Sequence, residues 1–209
     1  KVTSIDDLKE KLKKDEGILN NKQKIGLKYY DDLLKRIPRK EMEKHDDFIT
    51  KFIELIDKND DLIYEMVGSF RRESENSGDM DVLCTTKNKN TKLFNDIIEQ
   101  LEDNKYITET LAKGEKKFMG ICKLDEKSVG RRIDILLCDK KHYYFTLLYF
   151  TGSYQFNIKM RRKALEQGYS LSEYGLTEVS TKKLKEFNIN SEKDIFKIIK
   201  MDYVKPEDR

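Results

Sequence analysis

Two aspartates separated by one residue, Asp79 and Asp81, are the side chains in this sequence best suited to chemistry. Successive side chains of a strand point to opposite faces, so both carboxylates would project together while Met80 turns toward the core. Two carboxylates side by side repel each other unless a cation lies between them. Magnesium prefers hard oxygen ligands and shares them with substrate phosphates. The Asp-x-Asp pattern therefore predicts a magnesium site that serves phosphoryl transfer.

A glycine-serine turn upstream of these aspartates supplies groups suited to a phosphate. Gly68 follows an apolar run predicted as a strand, and glycine lets a phosphate approach the backbone closely. The Ser69 hydroxyl and the Arg72 guanidinium are donors for β- and γ-phosphate oxygens. For Arg71, the sequence leaves open a surface cation and a phosphate ligand.

A third carboxylate, Asp134, lies inside another apolar run. A buried charge is costly unless it is paired or bound to a metal, so Asp134 needs a partner. With Asp79 and Asp81, it would hold two ions roughly 4 Å apart and could accept the proton of an attacking hydroxyl. A salt bridge to Arg132 or Arg72 is the alternative.

Composition indicates a folded protein with little charge bias. The 209 residues are 37% hydrophobic, in periodic clusters, and the net charge of +3 does not by itself establish a nucleic-acid partner. Cys84, Cys122 and Cys138 lie far apart in apolar segments, which predicts buried thiols in a reducing compartment. Two histidines and no Cys-x-x-Cys pair argue against zinc. The apolar run 143–150 is shorter than the roughly 20 residues that span a bilayer.

Helices are predicted on both sides of a central group of strands. Predicted helices begin after Ser4, cover 20–36, run from Pro38 through Ile56, cover 91–104, and resume with loops from Ser153, including 161–167 and 195–201. Predicted strands cover 62–67, 79–85, 108–113, 117–124 and 131–138. This order indicates an α+β fold, a nucleotidyltransferase palm with a mixed sheet and helical flanks.

Five motifs in order resemble the family X DNA polymerases, most closely those of the DNA polymerase beta type. They cover residues 68–72, 77–83, 113–120, 131–134 and 149–153, and residues 23–29 and 191–196 match as well. The resemblance implies template-directed addition of deoxynucleotides to a primer 3′ end, typically in short gaps during base excision repair. It further implies a partial helical DNA-binding subdomain over 1–38, a catalytic palm over 39–140 and a nucleotide-binding subdomain over 141–209.

The resemblance also assigns roles residue by residue. Asp79 and Asp81 would bind two Mg²⁺ ions, Asp134 the catalytic one, and Mn²⁺ could substitute. The implied nucleotide contacts are Ser69, Arg72, Gly78, Tyr149, Phe150, Gly152 and Asn157, and the implied DNA contacts are Lys113, Lys117, Arg132 and Arg161. The implied partners are gapped or primed DNA and deoxynucleoside triphosphates. No membrane partner is expected, and the chain would act as a monomer inside the cell, in a nuclear or viral replication compartment.

Two features favour template dependence. Terminal transferase relatives place Gly-Trp where this chain has Tyr149 and Phe150, and the connection 113–117 is too short for the loop that replaces a template in those relatives. One alternative is a template-independent nucleotidyltransferase that acts on an RNA end or a small molecule. The other is a non-catalytic scaffold for DNA ends.

The chain departs from the family pattern at three positions. Leu136 stands where beta-type enzymes have an arginine that competes for the second Asp-x-Asp carboxylate, which predicts weaker conformational control of metal binding. Tyr154 and Ile158 replace an aspartate and a lysine near the bases, so fidelity should differ. The family's lyase domain and glycine-rich DNA-gripping motif would precede or overlap Lys1. We therefore expect polymerisation without sugar-phosphate removal, and a salt-sensitive grip on DNA.

Overall fold

The first elements of the chain are helical. The computed structural model describes residues 2–88 and 90–209. Its first elements are α1 (Ile5–Lys14), a 3₁₀ turn (Glu16–Ile18), α2 (Asn21–Lys28), α3 (Tyr30–Leu33), β1 (Ile37–Pro38) and α4 (Arg39–Ile56). Helix α1 begins after Ser4 as predicted, and Ser4 caps it, because the Ser4 Oγ accepts the Asp7 N–H at 3.1 Å.

The single helix predicted over 20–36 is wrong. The chain leaves helical geometry at Tyr29, which ends α2 with φ −101° and ψ 14°. The Tyr29 ring is buried and packs so closely on Gly130 that a methyl group there would lie 2.5 Å from it. This contact anchors the N-terminal helices to the loop before the last strand of the central sheet.

A five-stranded sheet forms the centre of the molecule. Its strands are β2 (Leu62–Met66), β4 (Met80–Thr86), β5 (Ile107–Lys113), β6 (Lys117–Cys122) and β7 (Arg131–Leu137), and between them lie α5 (Gly68–Arg71), β3 (Asn76–Ser77) and α6 (Thr91–Asp103). The order in space is β2-β4-β7-β6-β5. Only β4 and β7 pair in parallel within this sheet, and their register sets Asp81 opposite Asp134. The predicted strands are therefore confirmed to within two residues at each end.

Helices α4 and α6 supply the apolar cover of this sheet. Fully buried residues of α6, such as Ile98 and Leu101, join Met42 and Ile49 of α4 and Phe118 of β6 in one core cluster. The free thiols of Cys84 and Cys122 are buried as predicted, and Cys138 is half-buried.

A second core holds the C-terminal part together. Its elements are a 3₁₀ turn (Lys140–His142), α7 (Tyr143–Thr151), α8 (Tyr154–Glu166), β8 (Tyr169–Ser172), β9 (Gly175–Glu178), β10 (Leu184–Lys185), α9 (Glu192–Ile198) and a 3₁₀ turn (Pro206–Asp208). Helices were predicted to resume only from Ser153, so α7 and the small β8–β10 sheet are corrections to that map. The α+β fold class is confirmed. Across the described residues, no helix combines the length and apolarity needed to cross a membrane.

Candidate active site

An open cleft of about 440 Å³ lies where α5 and the start of β4 face the α7–α8 junction. Its walls carry Asp79 and Asp81 together with every predicted nucleotide contact: Ser69, Arg72, Gly78, Tyr149, Phe150, Gly152 and Asn157. Residues that lie far apart in the sequence therefore line one cavity. The cleft is large enough for a small-molecule substrate, since ligand pockets hold about 300–1,000 Å³.

Backbone pairing brings the carboxylates together. Asp81 lies on β4 opposite Asp134 on the parallel strand β7, and Asp79 directly precedes β4. Burial, together with the nearby charges of Asp79 and Asp134, raises the pKa of Asp81 to about 6. Gly68 has φ +61°, and a Cβ there would lie 2.6 Å from Asp81 Oδ2. Only glycine lets the α5 turn approach this carboxylate so closely.

Asp134 is already paired. Arg132 donates to it twice, from Nε to Oδ1 and from Nη2 to Oδ2, each at 3.1 Å. This is the salt bridge that the sequence left as an alternative. Within residues 2–88 and 90–209, no three acidic, histidine or cysteine side chains are arranged to hold a metal ion. The carboxylates supply the hard oxygens that Mg²⁺ prefers, but an ion would compete with Arg132 for Asp134.

The phosphate-binding candidates form a connected set. Ser69 Oγ donates to Ser77 Oγ at 2.8 Å, and Arg72 donates from Nη1 to the Thr151 carbonyl oxygen. Burial lowers the pKa of Arg72, whereas the Asp81 charge opposes that shift. At neutral pH the side chain remains a cation facing the carboxylates across the cleft.

Arg36 also lines the cleft, although sequence reasoning missed it. Its Nε donates to Asn76 Oδ1 at 2.6 Å and its Nη2 to the Asn76 carbonyl at 3.1 Å. The pairing of β1 with β3 sets Ile37 opposite Ser77 and thus delivers Arg36 to Gly78. Arg36 follows Lys35 and lies two residues before Pro38, and this short basic stretch gives no sequence signal of the pairing.

The far wall of the cleft is built by the α7–α8 junction. Asn157 Nδ2 donates to the Tyr149 carbonyl at 2.8 Å, and the Arg161 guanidinium lies 5.4 Å from the Tyr149 ring centroid. The rings of Tyr149 and Phe150 meet edge to face at 5.1 Å. The predicted base and sugar contacts therefore form one packed group.

Comparison with known proteins decides the family. Residues 36–140 match the model for the DNA polymerase beta palm, and residues 146–209 match that for the DNA polymerase beta thumb. The chain belongs to family X of the DNA polymerases.

Several curated relatives resemble this family X chain over most of its length. DNA polymerase lambda of Rattus norvegicus is 32% identical over 207 residues, which cover 91% of this chain and 36% of the relative. DNA polymerase lambda of Arabidopsis thaliana is 26% identical, over 94% of the chain and 40% of the relative. DNA nucleotidylexotransferase of Xenopus laevis is 28% identical, over 91% and 44%. The chain thus spans less than half the length of these relatives.

The remaining predicted residues of this family X chain lie in different settings. Lys117 is on β6 beside β7, and its charge opposes the rise in the pKa of Asp81. Lys113 is on the edge strand β5, where its Nζ lies 2.9 Å from Glu102. Arg71 is neither a surface cation nor a wall of the cleft, because it lies in a half-buried ion-pair network with Glu192.

Proposed function

We propose that this chain is the polymerising part of a template-directed DNA polymerase that adds deoxynucleotides to a primer 3′ end and fills short gaps in DNA repair. The observation that carries the proposal is the pairing of Asp81 with Asp134 across β4 and β7, with Asp79 and Asp81 in the same cleft as the phosphate candidates Ser69 and Arg72. The proposed subdomains are residues 1–38 for DNA, 39–140 for catalysis and 141–209 for the nascent base pair. The proposed compartment is the nucleus or a viral replication site.

The aspartates would hold two Mg²⁺ ions, for which Mn²⁺ could substitute. When bound, the ions would supply charge neutralisation for the attacking and leaving oxygens. Asp134 would accept the proton of the primer 3′ hydroxyl once Arg132 has released its oxygens. Arg132 would then be free to contact the primer phosphate. Gly78, Ser69 and Arg72 would hold the triphosphate in line for displacement.

Residues around the α7–α8 junction would select the substrate, and two lysines outside the cleft would hold the DNA. The turn from Tyr149 to Gly152 would press against the sugar and exclude a ribose hydroxyl. Asn157 and Arg161 would contact the minor-groove edges of the incoming and template bases. Lys113 and Lys117 would contact the DNA backbone, with Lys113 first leaving Glu102, and such contacts make affinity fall with added salt.

The relationship to DNA nucleotidylexotransferase favours a second candidate, template-independent extension. The β5–β6 connection bears on the choice. It is a tight turn closed by the Gly114 N–H, which donates to the Lys117 carbonyl at 2.8 Å. Such a turn offers no long loop to take the place of a template, so the template-directed reaction is our proposal.

Primer extension tests this function directly. The protein is given one-nucleotide gapped DNA or unprimed single strands, each with deoxynucleotides or ribonucleotides and with Mg²⁺ or Mn²⁺. We expect extension of the gap by the complementary deoxynucleotide only. Untemplated addition to single strands would instead support the second candidate.

Two variants separate catalysis from scaffolding. Asp134→Asn should abolish extension while gapped DNA still binds in fluorescence anisotropy, since its amide is a weaker metal ligand and proton acceptor. Asp103→Asn, at an exposed position in the last turn of α6, is the matched control. If Asp134→Asn extends primers as well as this control does, the proposed mechanism is wrong.

A further inference from the structure

Two neighbouring arginines, Arg71 at the end of α5 and Arg72 directly after it, both donate hydrogen bonds to the last residue of α7. Arg72 donates to the carbonyl oxygen of Thr151, and Arg71 donates from Nη1 to the Thr151 hydroxyl oxygen at 2.7 Å. The next residue, Gly152, lies against Arg72, since a Cβ on it would be 3.1 Å from Nη1. The triphosphate side of the cleft is thus tied directly to its sugar side.

Arg71 is itself firmly held. Its Nη1 and Nη2 donate to the two carboxylate oxygens of Glu192 at 3.1 and 2.9 Å, and its Nε donates to Glu65. Glu192 is only 6% exposed and is also bound by Arg209 at 2.7 Å. A planar guanidinium whose nitrogens all donate hydrogen bonds to fixed acceptors has one stable position. The bond to Thr151 therefore starts from a rigid donor.

Thr151 is equally constrained. It is fully buried, and its hydroxyl donates to the Leu147 carbonyl at 2.7 Å while accepting from Arg71. With both donor and acceptor used, the side chain has a single orientation. The hydrogen bond from Arg71 therefore fixes the position of Thr151, which directly precedes Gly152.

We propose that Arg71 and Thr151 are positioning residues for sugar selection. Their hydrogen bond would fix the turn from Tyr149 to Gly152 at the distance from the triphosphate at which a 2′-hydroxyl has no room. Residues of a selective site must be held within about 0.5 Å of their working positions. A segment without such hydrogen bonds would move by more than this. This inference rests on the proposed function, because it assigns the choice of sugar to that same cleft.

The test is the ratio of kcat/KM for dCTP to that for CTP on gapped DNA with a templating guanine. Thr151→Val keeps the shape of the side chain but removes the acceptor for Arg71. A hydrogen bond to a charged group is worth enough to lower this ratio about tenfold, mainly through faster use of CTP. Thr151→Ser retains the hydroxyl and should restore the ratio.

Thr146→Val is the matched control. Thr146 is a buried threonine on the same helix, but its hydroxyl donates to the His142 and Glu173 carbonyls rather than meeting an arginine. Its loss should leave the ratio unchanged. If thermal unfolding shows that Thr151→Val does not fold, Arg71→Lys is measured in its place. This variant keeps the positive charge but loses the planar guanidinium that donates to Thr151 and Glu192 together, so the same fall in the ratio is expected.

An unchanged ratio in folded Thr151→Val, or an equal fall in Thr146→Val, overturns the inference. If the wild-type chain does not extend DNA, or accepts dCTP and CTP equally, the proposed choice of sugar fails and the inference fails with it. If the wild-type protein prefers dCTP and folded Thr151→Val has the same ratio, only the positioning role is refuted and the proposed function stands.

Discussion

Mild acid should destabilise this protein through one buried histidine. His45 of α4 is 1% exposed, and its Nδ1 lies 2.8 Å from the Tyr106 hydroxyl. Its Nε2 has no hydrogen-bond partner among the described residues. Burial lowers the pKa of His45 from 6.5 to about 4, although the charge of Glu41 opposes the shift. The folded protein therefore keeps this imidazole neutral.

The size of the effect follows from proton linkage. As pH falls, the unfolded chain takes up a proton near pH 6.5, whereas the folded chain does so only near pH 4. Stability is therefore lost between these values as the pH falls. The loss from His45 is about 2 kcal/mol at a pH of about 5 and about 3 kcal/mol once both states are protonated.

Asp81 acts in the opposite direction. Its folded pKa of about 6 exceeds the usual 3.8, so the folded state binds the proton first and gains stability as pH falls through the same window. The gain is about 1 kcal/mol at a pH of about 5. The pH profile of the wild-type protein therefore mixes opposed titrations, to which other carboxyls with shifted pKa values, such as Asp46 and Glu41, also contribute, and it does not isolate His45.

The assay is urea unfolding of wild type and His45→Gln at about pH 7 and about pH 5. The variant keeps Asp81 and removes only the buried imidazole. The difference in unfolding free energy between the two proteins should shift by about 2 kcal/mol in favour of the variant on acidification. His142→Gln controls for loss of a histidine outside the core. Parallel pH profiles for wild type and His45→Gln would refute the reasoning.

Four further substitutions test the site and its support. Asp81→Asn should raise the unfolding free energy by about 2 kcal/mol at neutral pH, since it removes a buried charge that its neighbours repel. The same variant should lose primer extension. A lower unfolding free energy in urea would contradict this prediction. Gly68→Ala places a methyl group 2.6 Å from Asp81 Oδ2 at φ +61°, which should cost about 1–2 kcal/mol of stability and most of the extension rate. Arg36→Gln should raise KM for the nucleotide about tenfold if Arg36 binds phosphate. Gly120→Ala would set a Cβ 2.5 Å from the Glu109 carbonyl, so thermal unfolding should show a loss of about 1–3 kcal/mol without a comparable change in KM.

The central sheet and the cleft were largely predictable because their signals are local. Asp at alternate positions of a strand identifies its polar face, so the spacing alone could place Asp79 and Asp81 on one side of the sheet. Asp134 stood out as a charge within an apolar run. The resemblance to family X then implied that Asp134, which lies far from the other two aspartates in the sequence, serves one site with them.

The missed features depend on distant partners. Helix α7 is apolar on nearly every side because two core clusters cover it, so it lacks the one-sided periodicity that marks a surface helix. The break at Tyr29 exists because its ring packs on Gly130, a residue far along the chain. Arg36 reaches the cleft only through the pairing of β1 with β3. None of these contacts leaves a local pattern.

Strand β7 is the last of the sheet to leave the ribosome, yet it occupies the middle position. Until residues 131–137 have been synthesised, β4 and β6 each present an uncovered edge of hydrogen-bonding groups, which is a template for association with other chains. Insertion of that one segment closes both edges and in the same event delivers Asp134 to Asp81. Nascent chains arrested before this segment should therefore aggregate and should have no catalytic activity.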